Sequence, residues 1–274
     1  MLAIGYNTNG FAHHTLEDCL AILADLGYDG VALTLDVHHL DPFATSAAEV
    51  AALARRLDAL GLRRVVETGA RYVLDPRRKH WPSLVSEGRE RRVALLARAV
   101  AIGAELGAEA VSVHSGPAEP GLPAAEGWER LRAGMLPVLE HAERCGIPVG
   151  FEPEPGQFID RLEGFDRLRE MCGPGLRLTL DLGHVRCTEG FPPEEAVRRY
   201  AGCIVNVHAE DIRGREHVHL PFGEGDLDLR PALGALVQAG YRGLVNVELS
   251  RHSHDAPRQA ERSLSCLRAL LAPA

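Results

Sequence analysis

The sequence has no run approaching the ~18 consecutive apolar residues of a membrane span, so no membrane association is expected. It has no excess of positive charge: 30 Lys+Arg against 38 Asp+Glu give a formal net charge of −8. A protein held to nucleic acid by bulk charge needs clustered Lys and Arg, so nucleic acid is not an expected partner. The six cysteines (Cys19, Cys145, Cys172, Cys187, Cys203 and Cys266) are scattered, with no Cys-x-x-Cys pair. That excludes zinc fingers and secreted disulfide scaffolds and predicts reduced thiols in a cytoplasm. The opening Met1-Leu2-Ala3-Ile4-Gly5-Tyr6 lacks a basic n-region and a long apolar h-region, so no signal peptide is expected. Also missing are a Gly-x-Gly-x-x-Gly fingerprint after the first strand, a Walker loop, a Gly-x-Ser-x-Gly elbow and a His-Glu-x-x-His pair. The 274 residues are 46% hydrophobic and 25% charged, a balance that can bury a sizeable core.

Short apolar, β-branched runs alternate with longer helical patterns. The expected strands are residues 2–6, 30–35, 64–67, 110–114, 149–152, 176–180, 204–208 and 244–248. Several, such as Ala110-Val111-Ser112-Val113, are nearly continuous apolar runs, as in parallel strands buried on both faces. Between them, Val93, Leu96, Ala97, Val100 and Ala104 form one apolar stripe at helical period, and Gly107 sits where a C′ glycine would end that helix. Thr15 is placed as an N-cap for the first helix and Pro257 to open the last. Eight strands, each followed by a helix, at about 34 residues per unit predict a closed (β/α)8 barrel, a TIM barrel, as a single α/β domain over 1–274. Two longer loops, 68–88 and 209–228, then fall on the C-terminal face, where long loops are usually functional.

The informative positions are strand ends. The fifth to eighth strands end in Glu152, Asp181, His208 and Glu248, at separations near one βα repeat. Neighbouring parallel strands would point these two Glu, one Asp and one His at one spot above the barrel. Three carboxylates and an imidazole make an oxygen-rich site for one divalent metal ion. Mn²⁺, Mg²⁺ and Co²⁺ fit readily, and Zn²⁺ accepts the same ligands.

Further candidates crowd the same face. His114 ends the fourth strand; His184 follows Asp181 by three residues; His217 and His219 alternate in an extended segment. Each is a candidate for substrate contact, for support of the ligands, or for another metal. Glu67 ends the third strand with Arg71 after it, a candidate substrate contact or a pair that braces the loop. Glu154 is placed to touch substrate or cap a turn, and Arg71, Arg213 and Arg215 are candidates for a phosphate. The run Arg77-Arg78-Lys79 reads as solvated surface. The pairs His13-His14 and His38-His39 have nothing near them in sequence to complete a metal set.

Taken together, Glu152, Asp181-Leu182-Gly183-His184, Asn206-Val207-His208 and Val247-Glu248 resemble the xylose-isomerase-like (β/α)8 superfamily, as does the turn Leu220-Pro221-Phe222-Gly223-Glu224-Gly225-Asp226. That group includes sugar-phosphate isomerases and epimerases, ketose 3-epimerases, hydroxypyruvate isomerases and the endonuclease IV branch, also called AP endonuclease family 2. The resemblance implies that Glu152, Asp181, His208 and Glu248 hold one divalent ion, that Glu152 and Glu248 double as the acid/base pair, and that His184 contacts the substrate. The implied activity is isomerisation or epimerisation of a small sugar, sugar phosphate or hydroxy-keto acid. It proceeds by proton transfer next to a carbonyl through a metal-stabilised enediolate. The implied partner is a small polyhydroxy carbonyl substrate. Barrels of this kind often pair, so a homo-oligomer is compatible. The alternatives are a metal-dependent lyase or dehydratase on a related substrate and, further off, an endonuclease IV-like phosphodiesterase. That branch holds three zinc ions and uses a His where this third strand ends in Glu67, and an Asp-x-His pair where this chain has His217-x-His219.

Overall fold

The computed structural model describes residues 2–69 and 71–272. Met1, Ala70, Pro273 and Ala274, which fall within the expected 1–274 domain, lie outside the described residues. Eight strands run in parallel: β1 (Ala3–Asn7), β2 (Gly30–Thr34), β3 (Arg63–Glu67), β4 (Val111–Val113), β5 (Val149–Phe151), β6 (Leu176–Asp181), β7 (Ile204–Ala209) and β8 (Leu244–Val247). Each pairs with the next in sequence, and β8 pairs back onto β1, so the sheet closes into the expected barrel. The outer ring is α1 (Leu16–Leu26), α2 (Ala47–Ala59), α3 (Glu90–Leu106), α4 (Ala124–Cys145), α5 (Leu162–Cys172), α6 (Leu182–Thr188), α7 (Pro193–Tyr200), α8 (Arg230–Gln238) and α9 (Ala256–Leu271).

Local chemistry sets the helix ends as the sequence predicts. The Thr15 hydroxyl accepts the Asp18 N–H and caps α1. Gly107 ends α3 in the left-handed region at φ 65°, where a Cβ would be strained. Pro257 lies in the first turn of α9. Short 3-10 turns at Thr8–Phe11 and Ser253–Asp255 precede α1 and α9, and β6 is followed by two α-helices. Asp181 accepts the His184 N–H at 2.7 Å and starts α6 directly at the strand end, and Pro192-Pro193 then breaks the chain and opens α7.

The strands sort their side chains by parity. Ile4, Tyr6, Val31, Leu33, Val66, Val111, Val113, Phe151, Leu178, Val207, Val245 and Val247 pack outward into the main core beneath the helices. A smaller cluster of Val65, Ala110 and Leu244, with Ala3 and Val205 against it, plugs the barrel's N-terminal end. Polar side chains occupy the C-terminal half. Asn246 Nδ2 donates to Asn206 Oδ1 at 2.9 Å, and a Cβ on Gly5 would sit 2.0 Å from Asn246 Oδ1. Gly5 is therefore required for this asparagine to lie inside. An apolar plug below and polar groups above set the lumen's chemistry-bearing side chains at the C-terminal mouth.

Candidate active site

Glu152, Asp181, His208 and Glu248 converge at that mouth. One ligand atom from each lies within 4.8 Å of those of the other three. Asp181 and His208 are the last and next-to-last residues of β6 and β7; Glu152 and Glu248 are the first residues past β5 and β8. The ladders thus stop one residue earlier than expected at both glutamates, whose backbone N–H groups still bond to Val113 O and Ala209 O. His208 Nδ1 lies 3.1 Å from Glu152 Oε1, 3.1 Å from Glu248 Oε2 and 3.8 Å from Asp181 Oδ2.

On its other side, His208 Nε2 meets Glu67 Oε1 at 2.9 Å, and Asn206 Nδ2 donates to the same oxygen at 2.8 Å. Glu67 thus holds the Nε2 side of the ring and sets Nδ1 facing the three carboxylates, the orientation in which a histidine would offer Nδ1 to a metal. Glu248 is fixed in turn by Asn9, whose Nδ2 donates to Oε1 at 2.8 Å.

The donor set fits a divalent cation. It is oxygen-rich, buried and strongly anionic, and among the described residues Asp181 Oδ2 is buried with no hydrogen-bond partner. The bare electrostatics express the same crowding. Burial pushes the Glu152 carboxyl well up, and the neighbouring Glu248 and Asp181 charges add to this against the pull of His208. Burial also acts against ionisation of Glu248, but His208 outweighs it and holds that carboxyl well below the usual range. Asp181 is lowered in the same way by His184, His219 and His208. His208 resists its own burial and is raised by Glu67, Glu152 and Glu248. A cation seated here would take over the charge balance that His208 otherwise supplies.

His184, His217 and His219 form a second cluster beside the first. His217 Nε2 lies 3.1 Å from both His184 Nε2 and His219 Nε2. His184 reaches Asp181 Oδ2 at 3.5 Å and Glu152 Oε1 at 3.6 Å, while its Nδ1 meets Pro153 O at 3.1 Å. One nitrogen between two others makes a polar notch suited to a hydroxyl or a cation. Glu210, which the sequence alone did not single out, lies fully buried against this cluster, and among the described residues neither carboxyl oxygen has a partner in good hydrogen-bond geometry. It joins Asp181 and His219 in a third group able to hold an ion. Gly183 makes room for it, since a Cβ there would stand 1.8 Å from Glu210 Oε1. Strand alternation from His208 was the available signal for Glu210, and alternation backwards points to Asn206.

A cavity of about 330 Å³ opens above these groups. Its lining includes Glu67, Arg71, His114, Glu152, His184, His208, His217, His219 and Glu248, so all the expected substrate-contact residues share one pocket with most of the ligand set. Glu154 lines it too, with its carboxyl pushed up to about 7 by burial first and Glu248 second. His114 Nδ1 meets Gln157 Oε1 at 2.8 Å, and Glu154 accepts from Gln157 Nε2. Arg213 and Arg215 do not line the pocket. Arg213 donates to Glu224 O at 2.6 Å, and Arg215 bonds to Arg186 O and Glu189 O. Nor do the doubled histidines line it; His39 Nε2 bonds instead to His14 O at 3.0 Å.

A closed parallel barrel with an acidic, histidine-bearing mouth defines a TIM barrel carrying a candidate metal centre. Residues 20–270 match the model of one family of such barrels, and the chain belongs to that family, the xylose isomerase-like TIM barrels. Among curated relatives, an uncharacterized protein of Methanocaldococcus jannaschii is 30% identical over 130 residues, covering 45% of this chain and 44% of that protein. An inosose dehydratase of Lacticaseibacillus casei is 29% identical over 139 residues, 44% of this chain and 46% of the relative. Each match thus spans less than half the relative's length. Among solved structures, an L-ribulose 3-epimerase superposes with a TM-score of 0.81 at 20% identity, covering 99% of this chain and 95% of that one. At that identity the likeness concerns the fold. Among the described residues, no helix is long and apolar enough to cross a membrane.

Proposed function

We propose that this protein is a divalent-metal-dependent isomerase or epimerase. Its substrate would be a small sugar, sugar phosphate or hydroxy-keto acid, and the reaction a proton transfer next to a carbonyl. The observation that carries this reading is the placement of Glu152 and Glu248 on separate strands, both 3.1 Å from His208 Nδ1, at the floor of a pocket lined by polar groups. Two carboxylates that reach one pocket from separate barrel strands supply the two groups that removal and return of a proton require.

Glu152, Asp181, His208 and Glu248 would hold one Mn²⁺, Mg²⁺, Co²⁺ or Zn²⁺ ion. When bound, the ion supplies positive charge that polarises the carbonyl and offsets the charge of the enediolate. Glu248, oriented by Asn9, takes the proton from the carbon beside the carbonyl. The C–H electron pair becomes the new C=C bond and the carbonyl π pair moves onto oxygen. Glu152 then delivers a proton to the same carbon from the opposite face, as the oxygen lone pair re-forms the carbonyl, or to the former carbonyl carbon, in which case the proton of the adjacent hydroxyl passes to the former carbonyl oxygen and the new C=O forms where that hydroxyl stood. His184, His217 and His219 meet the substrate hydroxyls on one side, and Glu67 keeps His208 aligned.

A second reading, a dehydratase, is favoured by the inosose dehydratase relative. It shares the first proton removal, after which the enolate pair forms a Cα=Cβ bond and expels the β-hydroxyl, which takes a proton from Glu152 and leaves as water. The test is a panel of ketoses, hydroxy-keto acids and inosose-type compounds incubated with the Mn²⁺-loaded protein in D₂O. Deuterium entering beside the carbonyl without loss of mass supports the isomerase. Loss of water supports the dehydratase. An absence of both exchange and loss of water across the panel overturns both.

A further inference from the structure

We propose that the outer part of the pocket is an anion subsite, in which Lys79, Arg71 and Arg251 receive a carboxylate or phosphate group carried by the substrate at the end remote from its reacting carbonyl. The proposal deepens the proton-transfer reading and takes from it only what lies at the pocket floor.

All three side chains line the cavity, Arg71 and Lys79 from the loop after β3 and Arg251 from the loop after β8. The loop is built to bring the first two together. The His80 N–H donates to Arg71 O at 2.7 Å, which closes the excursion between them and sets Arg71 and Lys79 on the same lip. The basic run 77–79 is solvent-exposed as the sequence predicts, and its members divide in direction. Asp75 Oδ1 accepts the N–H groups of Arg77 and Arg78, its Oδ2 accepts Arg78 Nε at 2.8 Å, and the Arg78 guanidinium lies 4.6 Å from the Trp81 ring centroid. Arg78 is thereby engaged outside the pocket, while Lys79 is turned onto the cavity.

Among the described residues, no carboxylate lies within ion-pair distance of Arg71, Lys79 or Arg251. Three cations without acidic partners thus face a cavity whose floor is carboxylate. An anionic group would be repelled by that floor and attracted to the lip, so charge alone orients an elongated substrate. Their field reaches inward as well: Lys79 and Arg71 both pull down the buried Glu154 carboxyl against its desolvation. Arg213 and Arg215, the other cations considered for a phosphate, are bonded to main-chain carbonyls away from the cavity.

Lys79 is the only lysine among the chain's 30 basic residues, which makes the subsite directly observable. In the Mn²⁺-loaded full chain, acylation of lysine amines can be followed by mass spectrometry as a single side-chain event. Inorganic phosphate, gluconate and the neutral polyol sorbitol are compared as protectants at matched ionic strength in chloride. The expected result is at least threefold slowing of Lys79 acylation by millimolar phosphate or gluconate, with none by sorbitol, and loss of that protection in Arg71→Gln and Arg251→Gln. Protection by phosphate alone assigns a phosphate ester; protection by gluconate assigns a sugar acid. Equal slowing by all three, no slowing, or protection that survives both substitutions overturns the subsite. Exchange in D₂O is a separate readout: if it fails while Lys79 protection holds, the proton-transfer reading falls and the subsite stands.

Discussion

Glu67 and His208 are 141 residues apart in sequence and are joined across the barrel, Oε1 to Nε2, at 2.9 Å. One comes from β3 and the other from β7, so the bond spans the lumen rather than a neighbouring strand pair. Asn206 donates to the same Glu67 oxygen and is held by Asn246 from β8. The histidine that faces the three carboxylates is therefore aimed by residues that do not belong to the ligand set.

That bond predicts a defect in metal affinity. Partners that orient a ligating histidine typically contribute about 10- to 100-fold to affinity. Glu67→Gln keeps the shape but removes the charge that favours Nε2–H, and is expected to weaken Mn²⁺ binding by about 10-fold, with Glu67→Ala nearer 100-fold. Competition against a calibrated chelator measures it. Unchanged affinity in both variants would mean that His208 is aligned by packing alone.

The proposed acid/base pair predicts a loss of turnover that exceeds any loss of metal. Positioned proton transfer contributes about 10²–10⁴-fold, so Glu152→Gln and Glu248→Gln should each lower turnover by at least that range's lower bound when assayed at saturating Mn²⁺. Metal content is measured on the same samples. Near-wild-type turnover in a metal-replete variant removes that glutamate from proton transfer.

How much of this was legible beforehand follows from what each feature depends on. The barrel was readable because parallel strands buried on both faces leave continuous apolar runs, and the βα repeat spaces them evenly. The convergence of Glu152, Asp181, His208 and Glu248 followed from the same repeat, since each sits at or just past a strand end. The work of Glu67 was not legible. It bonds His208 four strands away in sequence, and across-lumen contacts depend on barrel closure rather than on spacing. Glu210 escaped for another reason: Ala209-Glu210-Asp211 reads as a loop start, and only the continued strand alternation places Glu210 inward. The split of the run 77–79 likewise depends on where Asp75 bonds.

Burial of histidine predicts an acid sensitivity of folding. Burial, reinforced by the nearby His114, Lys79, Arg92 and Arg71 charges, lowers His80 from 6.5 to about 2. The folded state thus keeps His80 neutral where the unfolded state protonates it. Stability from this group is fully present above pH 6.5 and declines as pH falls, by up to about 1.4 kcal/mol per pH unit. His80 sits at φ 59°, a left-handed conformation that asparagine tolerates better than most residues. His80→Asn should therefore fold and lose less of its melting temperature between pH 7 and pH 5 than the wild type. Parallel melting curves against pH would show that His80 carries none of the acid sensitivity.

Asp211 predicts a structural defect beside the site. Its Oδ1 accepts the N–H groups of Ile212 and Leu227 at 2.8 and 3.0 Å, and its Oδ2 those of Gly223 and Gly225 at 2.9 and 3.0 Å. One buried carboxylate thereby ties the turn 221–226 to the end of β7. A Cβ on Gly225 would lie 2.4 Å from Ile212 O, so the turn packs too closely for any other residue there. Hydrogen bonds to a charged acceptor are worth about 1.5–3 kcal/mol each, and orphaned donors in a partly exposed turn recover some of that from water. Asp211→Ala should cost about 3–5 kcal/mol in urea denaturation. Amide exchange should rise first at Gly223, Gly225 and Leu227. Because His217 and His219 lie in the segment between Asp211 and this turn, the same variant should blunt binding at the histidine notch while leaving Glu152, Asp181 and Glu248 in place. Native-like exchange at the Gly223, Gly225 and Leu227 amides would mean that the turn is held by its own main-chain bonds, and that Asp211 is replaceable.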